Sequence, residues 1–166
     1  DCGWPVRGSL LGNRDNLKGD AKKNAVRWAK LKKGDVTSFE PNLLDGAELV
    51  IDAMFGAGLT RPLEGKALEI VREINRRNVV CVAVDMPSGV DGDTGQLLGA
   101  APNAALTVTF YRKKPGHLLL PGKDCCGEVI VTDIGIPDSV LEEIRPACRE
   151  NSPALWSQDF PRPVAA

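Results

Sequence analysis

Nowhere in this 166-residue chain does an apolar run approach the roughly 20 residues that a membrane-spanning helix needs. No signal peptide opens it, and its first residue is Asp1 rather than Met, so the true start is expected upstream. An excess of one charge is also lacking: 21 basic residues stand against 22 acidic ones, a net charge of -1. That balance removes the electrostatic reason to expect nucleic acid or an anionic membrane as partner. The basic pairs at Lys22 and Lys23, Lys32 and Lys33, and Lys113 and Lys114 carry no interleaved aromatics and read as solvated faces. Histidine occurs once, and the five cysteines show no metal-ligand rhythm. Cys125 and Cys126 are adjacent rather than a spaced pair, which argues against zinc, and Cys81 sits in an apolar run as a small hydrophobe. Reduced thiols in the cytoplasm are the expectation. What remains is 43% hydrophobic and 26% charged, an ordinary globular composition at the length of one domain.

Five runs have strand character: 6–11, 49–54, 79–85, 105–110 and 128–133. The second and third are nearly continuous apolar runs, which suits strands covered on both faces of a parallel sheet. Helical spacing joins Leu17, Ala21, Ala25, Trp28 and Ala29, and again Leu63, Ala67, Ile70, Val71 and Ile74, with Pro62 suited to a first helical position. The alternation predicts right-handed crossovers and an open three-layer α/β/α sandwich around a mostly parallel sheet. The 112–127 connection lacks helical periodicity and is expected to be a long loop or a β-like excursion, not another crossover helix. A short helix is expected over 139–144. The tail from Arg149 carries Pro153, Pro161 and Pro163 and reads as a linker.

In an open parallel sheet, ligands bind beyond the carboxyl ends of the strands. The run ending at Met54 passes into Phe55-Gly56-Ala57-Gly58-Leu59-Thr60-Arg61-Pro62, where glycines allow close backbone approach. A helix starting near Pro62 would offer free N–H groups to a phosphate, and Arg61 a bidentate contact. A lone Gly-x-Gly is often only a tight turn and lacks the Rossmann and P-loop spacings. The next strand closes on Asp85, followed by Met86-Pro87-Ser88-Gly89-Val90. An acid ending an apolar strand either caps a turn or serves a ligand. Asp91, Asp93 and Gly95 are similar to the start of a calcium loop, but no glutamate closes it. Asp52 also lies within an apolar strand, and it would meet Ser88 if the two strands pair. An ordinary hydrogen bond between them ranks above a loosely held monovalent cation on spacing alone.

In combination these runs are recognisable. Ile51-Asp52-Ala53-Met54-Phe55-Gly56-Ala57-Gly58-Leu59 resembles the "DA-hydrophobic-FG-x-G" signature of NAD(P)H-hydrate epimerases, the YjeF amino-terminal family. Val84-Asp85-Met86-Pro87-Ser88-Gly89-Val90 with Gly95 resembles that family's "D-hydrophobic-PSG" loop. Weaker matches are Leu17-Lys18-Gly19-Asp20-Ala21, Thr107-Val108-Thr109-Phe110 with Lys114-Pro115-Gly116, and Asp133-Ile134-Gly135-Ile136-Pro137. The resemblance implies a Rossmann-like fold and an isomerase that interconverts the R and S hydrates of NADH and NADPH with a potassium ion and no organic cofactor. It matches Asp52 and Ser88 to potassium ligands, and Gly56, Ala57, Gly58, Leu59, Thr60, Arg61 and Pro62 to a substrate-binding loop. Asp85 matches a further substrate contact. The family's "NNGGDG" loop is absent and would precede Val6, with the first strand and leading helices. An incomplete epimerase-type domain over 1–147, a Pro-rich linker over 148–166 towards an ADP- or ATP-dependent dehydratase, and a homodimer are the expectations that follow.

Epimerisation would proceed by loss of the hydroxyl from the carbon beside the ring nitrogen and re-entry of water on either face. A carboxylate can shuttle protons and stabilise the cation between, a role that falls to Asp85. Lys114 is an alternative, as is His117, although a lone loop histidine is usually just exposed. Two rivals stay open: a non-catalytic nucleotide-binding or protein-interaction module on the same fold, and a dinucleotide-dependent dehydrogenase. The dehydrogenase is disfavoured because no Gly-x-Gly-x-x-Gly follows any strand.

Overall fold

The computed structural model describes residues 3–31 and 36–158. The basic pair at Lys32 and Lys33, and the prolines at 161 and 163, lie outside the described residues. Four strands form one wholly parallel sheet in the order β1 (Leu49–Asp52), β2 (Val80–Val84), β3 (Ala104–Phe110) and β4 (Glu128–Thr132). Among the described residues the α-helices are α1 (Gly19–Lys30), α2 (Gly65–Arg77), α3 (Gly122–Cys126) and α4 (Ser139–Ile144). Among the described residues no helix is long and apolar enough to cross a membrane.

The α2 helix forms because Ala67, Ile70, Val71 and Ile74 recur on one face, and all four are buried. Asn78 closes it in the left-handed conformation, which Asn tolerates better than most residues. Ile70 and Ile74 pack on Cys81 of β2, together with Phe39 and Leu44. The connection from β2 to β3 and α3 packs as a second cluster of Met86, Val90, Ala101, Cys125 and Cys126. Thr107 of β3 ties to it, its hydroxyl donating to the Cys126 carbonyl at 2.7 Å. Burial lifts the Cys81 thiol to about 12 and the Cys126 thiol to about 11, so both behave as small hydrophobes.

Register puts Asp52, Cys81, Ala83, Thr107 and Thr109 on one face, and each of these is buried. The opposite face carries Leu49, Ile51, Val80 and Ile130, and Ile51 is 63% exposed. The parallel sheet flanked by helices is the expected α/β architecture, and within the described residues this second face is partly exposed. Successive strands add in one direction, and connections of one hand then all pass over the same face.

Three local expectations need correction. The 6–11 run forms no strand, only a bridge between Ser9 and Thr37. The second helix begins at Gly65, not Pro62, because Glu64 is extended and Gly65 takes a left-handed φ of +52°, which a right-handed helix cannot run through. The 112–127 connection holds a 3-10 turn at Pro115–His117 and the short α3, where a long loop or a β-like excursion was expected. The Ser139–Ile144 helix lies where the sequence predicts it.

Candidate active site

Parallel strands bring all their carboxyl ends to one edge of the sheet, and the two strand-end acids meet different surroundings there. Asp52 is 2% exposed. Its Oδ2 accepts from the Ser88 N–H at 2.8 Å, and its Oδ1 accepts from the Ser88 hydroxyl at 2.7 Å and the Met54 N–H at 3.3 Å. None of these donors is a cation. Burial accordingly raises the Asp52 carboxyl above its ordinary range, against the pull of those bonds. The Ser88 hydroxyl also accepts from the Phe55 N–H at 3.0 Å and lies 3.4 Å from the Phe55 carbonyl.

The Pro87-Ser88-Gly89 turn that delivers Ser88 requires its glycine. Gly89 has φ +100°, and a Cβ there would run into the Ala100 carbonyl oxygen.

Asp85 ends β2 in a conformation rare for non-glycine residues, φ +70°. The turn is held on every side. The Asp85 N–H donates to Val108 O at 2.7 Å, Met86 N–H closes back to Val84 O at 2.9 Å, and His117 Nε2 reaches the Asp85 carbonyl at 2.8 Å. Backbone strain of about 1–3 kcal/mol of this kind persists only where neighbours over-determine it, typically at functional sites. The side chain is pinned as firmly. Oδ2 accepts from the Ala57 N–H at 3.0 Å, while Oδ1 accepts from Lys114 Nζ at 2.6 Å and Thr109 Oγ1 at 3.0 Å. Burial pushes this carboxyl up, but the Ala57 N–H, then Lys114 and Thr109, outweigh it and hold it below the ordinary range. Asp85 is therefore a carboxylate near neutral pH, held between a cation and two neutral donors.

Lys114 Nζ donates further to Thr109 Oγ1 at 2.8 Å and to the Phe110 carbonyl at 3.3 Å. His117 is 2% exposed, which corrects the expectation of an exposed loop histidine. The chain around it folds back over the turn after Val90, with the Gly116 N–H on Gly92 O at 2.7 Å and the Gly122 N–H on Gly95 O at 2.7 Å. Its Nδ1 accepts from the Lys114 N–H at 2.9 Å, so the proton sits on Nε2 and points at the Asp85 carbonyl. Burial, with the Lys114 charge behind it, keeps the imidazole below its ordinary pKa.

The Gly56–Pro62 loop divides in two. Gly56 and Ala57 press on Asp85: a Cβ on Gly56 would lie 2.7 Å from Asp85 Oδ2. Gly58, Thr60, Arg61 and Pro62 are exposed, and the Leu59 side chain turns into a core with Leu63, Ala67 and Val71. Leu11, Phe55, Arg61 and Lys66 help to line a cleft of about 350 Å³ beside this loop. A larger groove of about 430 Å³, along Leu68, Arg72 and Arg76, lies on the solvent side of α2, away from the strand ends. The structure thus brings together Asp52 with Ser88, and Asp85 with Gly56 and Ala57. Thr109 enters the Asp85 group although the sequence offers no role for it. Its signal was the Thr107, Thr109 alternation in an otherwise apolar strand, two polar side chains on the buried face.

The site suits a hard monovalent cation better than a transition metal. A buried carboxylate with only neutral partners, a hydroxyl and a backbone carbonyl form an all-oxygen set of single negative charge. No group of three or more His, Cys, Asp or Glu side chains gathers as a metal site among the described residues.

The family model described as "YjeF-related protein N-terminus" matches residues 2–116, a span containing Asp52, Asp85, Ser88, Thr109 and Lys114. The chain is 39% identical over 160 residues to the bifunctional NAD(P)H-hydrate repair enzyme Nnr of Thermofilum pendens, covering 91% of this chain and 30% of that protein. It is 45% identical over 94 residues to the NAD(P)H-hydrate epimerase of Limosilactobacillus fermentum, covering 57% of this chain and 45% of that protein. The chain spans less than half the length of either relative. Among solved structures, the crystal structure of yeast ynu0 matches with a TM-score of 0.60 at 22% identity, over 77% of this chain and 55% of that one. That likeness is one of fold.

Proposed function

This chain belongs to the YjeF-related protein N-terminus family, and on that footing we propose that it interconverts the R and S hydrates of NADH and NADPH. The names of its relatives support the reaction, and the observation that carries it here is the pinned carboxylate of Asp85. The hydrate bears a hydroxyl on the carbon attached to the ring nitrogen. When that hydroxyl leaves, the nitrogen lone pair leaves a planar cation, and water can re-enter from either face. Asp85 sits where fixed negative charge would stabilise that cation without reorganising. The Ala57 N–H orients Asp85, and Leu59, Arg61 and Pro62 of the same loop line the cleft, which supports the Gly56–Pro62 loop as the substrate loop. Arg61 and Lys66 supply the positive charge that a dinucleotide pyrophosphate needs.

A potassium ion at Asp52 and Ser88, with the Phe55 carbonyl, belongs to the same proposal. It would neutralise the buried Asp52 carboxylate and brace the loop beside the substrate. Among the described residues, four free cysteines, three of them buried, support the cytoplasm as the compartment. Residues 1–147 are read as the epimerase-type unit and 148–166 as a linker.

The test is a coupled assay on racemic hydrate with an excess of S-specific dehydratase. The dehydratase alone consumes only the S form, and an epimerase carries consumption on through the R form. No R consumption by folded protein that still binds nicotinamide nucleotides would replace this reading with a binding module.

A further inference from the structure

Departure of hydroxide from the hydrate requires a proton, and re-entry of water gives one back. Asp85 is a poor donor near neutral pH because its neighbours hold it ionised. His117 has both ring nitrogens engaged, Nδ1 by the Lys114 N–H and Nε2 by the Asp85 carbonyl. The Ser88 hydroxyl is committed to Asp52 at 2.7 Å, and the Thr109 hydroxyl faces Asp85 at 3.0 Å. Lys114 remains, and it has not been needed so far except as a counter-charge.

Resting on the epimerase reading, we infer that Lys114 is the acid–base residue of this site, giving a proton to the departing hydroxyl and taking one back from the incoming water. Its ammonium is aimed by two short bonds, 2.6 Å to Asp85 Oδ1 and 2.8 Å to Thr109 Oγ1. The third N–H makes only the long 3.3 Å contact to the Phe110 carbonyl, and that is the bond a substrate hydroxyl would replace. The Lys114 side chain is 27% exposed and Asp85 22%, so the pair lies at the mouth of the site. In the first step the carbon–oxygen bond breaks, and its electron pair leaves on the oxygen. That oxygen takes the Lys114 proton and departs as water, while the ring nitrogen lone pair makes the carbon–nitrogen double bond. In the second step water adds to the opposite face and its proton passes to the Lys114 amine. Nothing is oxidised or reduced, and the proton count closes. Asp85 keeps its charge throughout and faces the cation, so the two residues divide the work.

Lys114→Arg separates charge from proton transfer, because guanidinium keeps its charge beside Asp85 but does not give up a proton in proteins. In the coupled assay it is expected to lower kcat by about a hundredfold to ten-thousandfold with KM changed by no more than about threefold. Lys114→Ala is expected to regain part of its rate when ethylamine is added, rising with amine concentration. Wild-type protein without activity would remove the epimerase reading and this inference with it. An active wild type with Lys114→Arg keeping more than about a tenth of kcat would remove the Lys114 role alone. Loss in Lys114→Arg without amine rescue of Lys114→Ala would also overturn it, leaving Lys114 as a residue that positions Asp85.

Discussion

Asp85→Asn is the sharpest single perturbation of this site, because it changes charge and leaves shape alone. Asn tolerates the left-handed φ of +70° that Asp85 adopts, so the turn to Met86 should survive. The side chain meets three donors: the Ala57 N–H, the Thr109 hydroxyl and the Lys114 ammonium. An amide offers one acceptor oxygen and one NH2 donor, so one end must face a donor. The less costly orientation puts the oxygen on Ala57 and lets the Thr109 hydroxyl turn to accept from the NH2, which strands Lys114. Hydrogen bonds to a charged group contribute about 1.5–3 kcal/mol, and losing the Lys114 pair should lower stability by an amount of that order. The chemical effect should be larger in rate than in binding. Removing one preorganised charge-stabilising group typically costs about 2.7–4 kcal/mol of transition-state stabilisation, roughly a hundredfold to a thousandfold in kcat. The coupled hydrate assay gives kcat and KM separately, and thermal unfolding gives the stability change. A rise in KM with kcat unchanged would make Asp85 a binding residue only, and activity within about threefold of wild type would refute its role.

Gly56→Ala should act on the same carboxylate from the other side: its Cβ would lie 2.7 Å from Oδ2, which Ala57 holds, while Lys114 and Thr109 hold Oδ1 and keep the carboxylate from yielding. Displacement of Asp85 by a fraction of an ångström is expected to cost about tenfold to a hundredfold in kcat, and unchanged kinetics would show the contact to be slack. Potassium chloride should raise the melting temperature above that in tetramethylammonium chloride of equal ionic strength, and Asp52→Ala should abolish the difference. Equal melting in both salts would remove potassium from Asp52 and Ser88. His117 is the single histidine, so its imidazole signal is unambiguous in NMR. It should remain neutral with the proton on Nε2, titrating below its ordinary value of about 6.5. With the folded pKa depressed, the unfolded chain binds the proton more readily, so stability should fall as pH drops below about 6.5. A midpoint at or above that value would contradict the buried, doubly engaged ring.

Asp52 and Asp85 were legible because an acid within or ending an apolar strand is costly unless something uses it, and a parallel sheet gathers strand ends on one edge. Their pairing with Ser88 and with the Gly56 loop followed once β1 and β2 were neighbours. What stayed hidden lay across the chain. Lys114 is 29 residues from Asp85 and Thr109 is 24, and the Thr107, Thr109 alternation marks a buried polar face without saying which carboxylate it meets. His117 was misjudged for a related reason: a Lys-, Pro- and Gly-rich segment reads as an exposed loop. Its burial comes instead from backbone bonds to Gly92 and Gly95 in another turn. The helix start moved from Pro62 to Gly65 because the left-handed turn at Gly65 overrides a favourable local position at Pro62. How far each face of the sheet is covered depends on strand order, which apolar runs do not encode.

The two strand-end acids show why one loop can serve both structure and chemistry. Phe55, Gly56 and Ala57 follow β1 in three successive positions. The Phe55 N–H is given to Ser88, which holds Asp52, while the Ala57 N–H is given to Asp85. A shift of that tripeptide therefore reaches both carboxylates at once. Their environments push their pKa values apart, Asp52 upward by burial among neutral donors and Asp85 downward by the Ala57 N–H, Lys114 and Thr109. Such a split assigns distinct roles to chemically identical groups. Asp52 gains most from a bound cation, which it would transmit to the loop, whereas Asp85 already has its cation in Lys114 and is free to face a positively charged intermediate. Potassium occupancy and catalytic rate should therefore be coupled through Phe55 to Ala57, although neither Asp85 nor Lys114 touches Asp52.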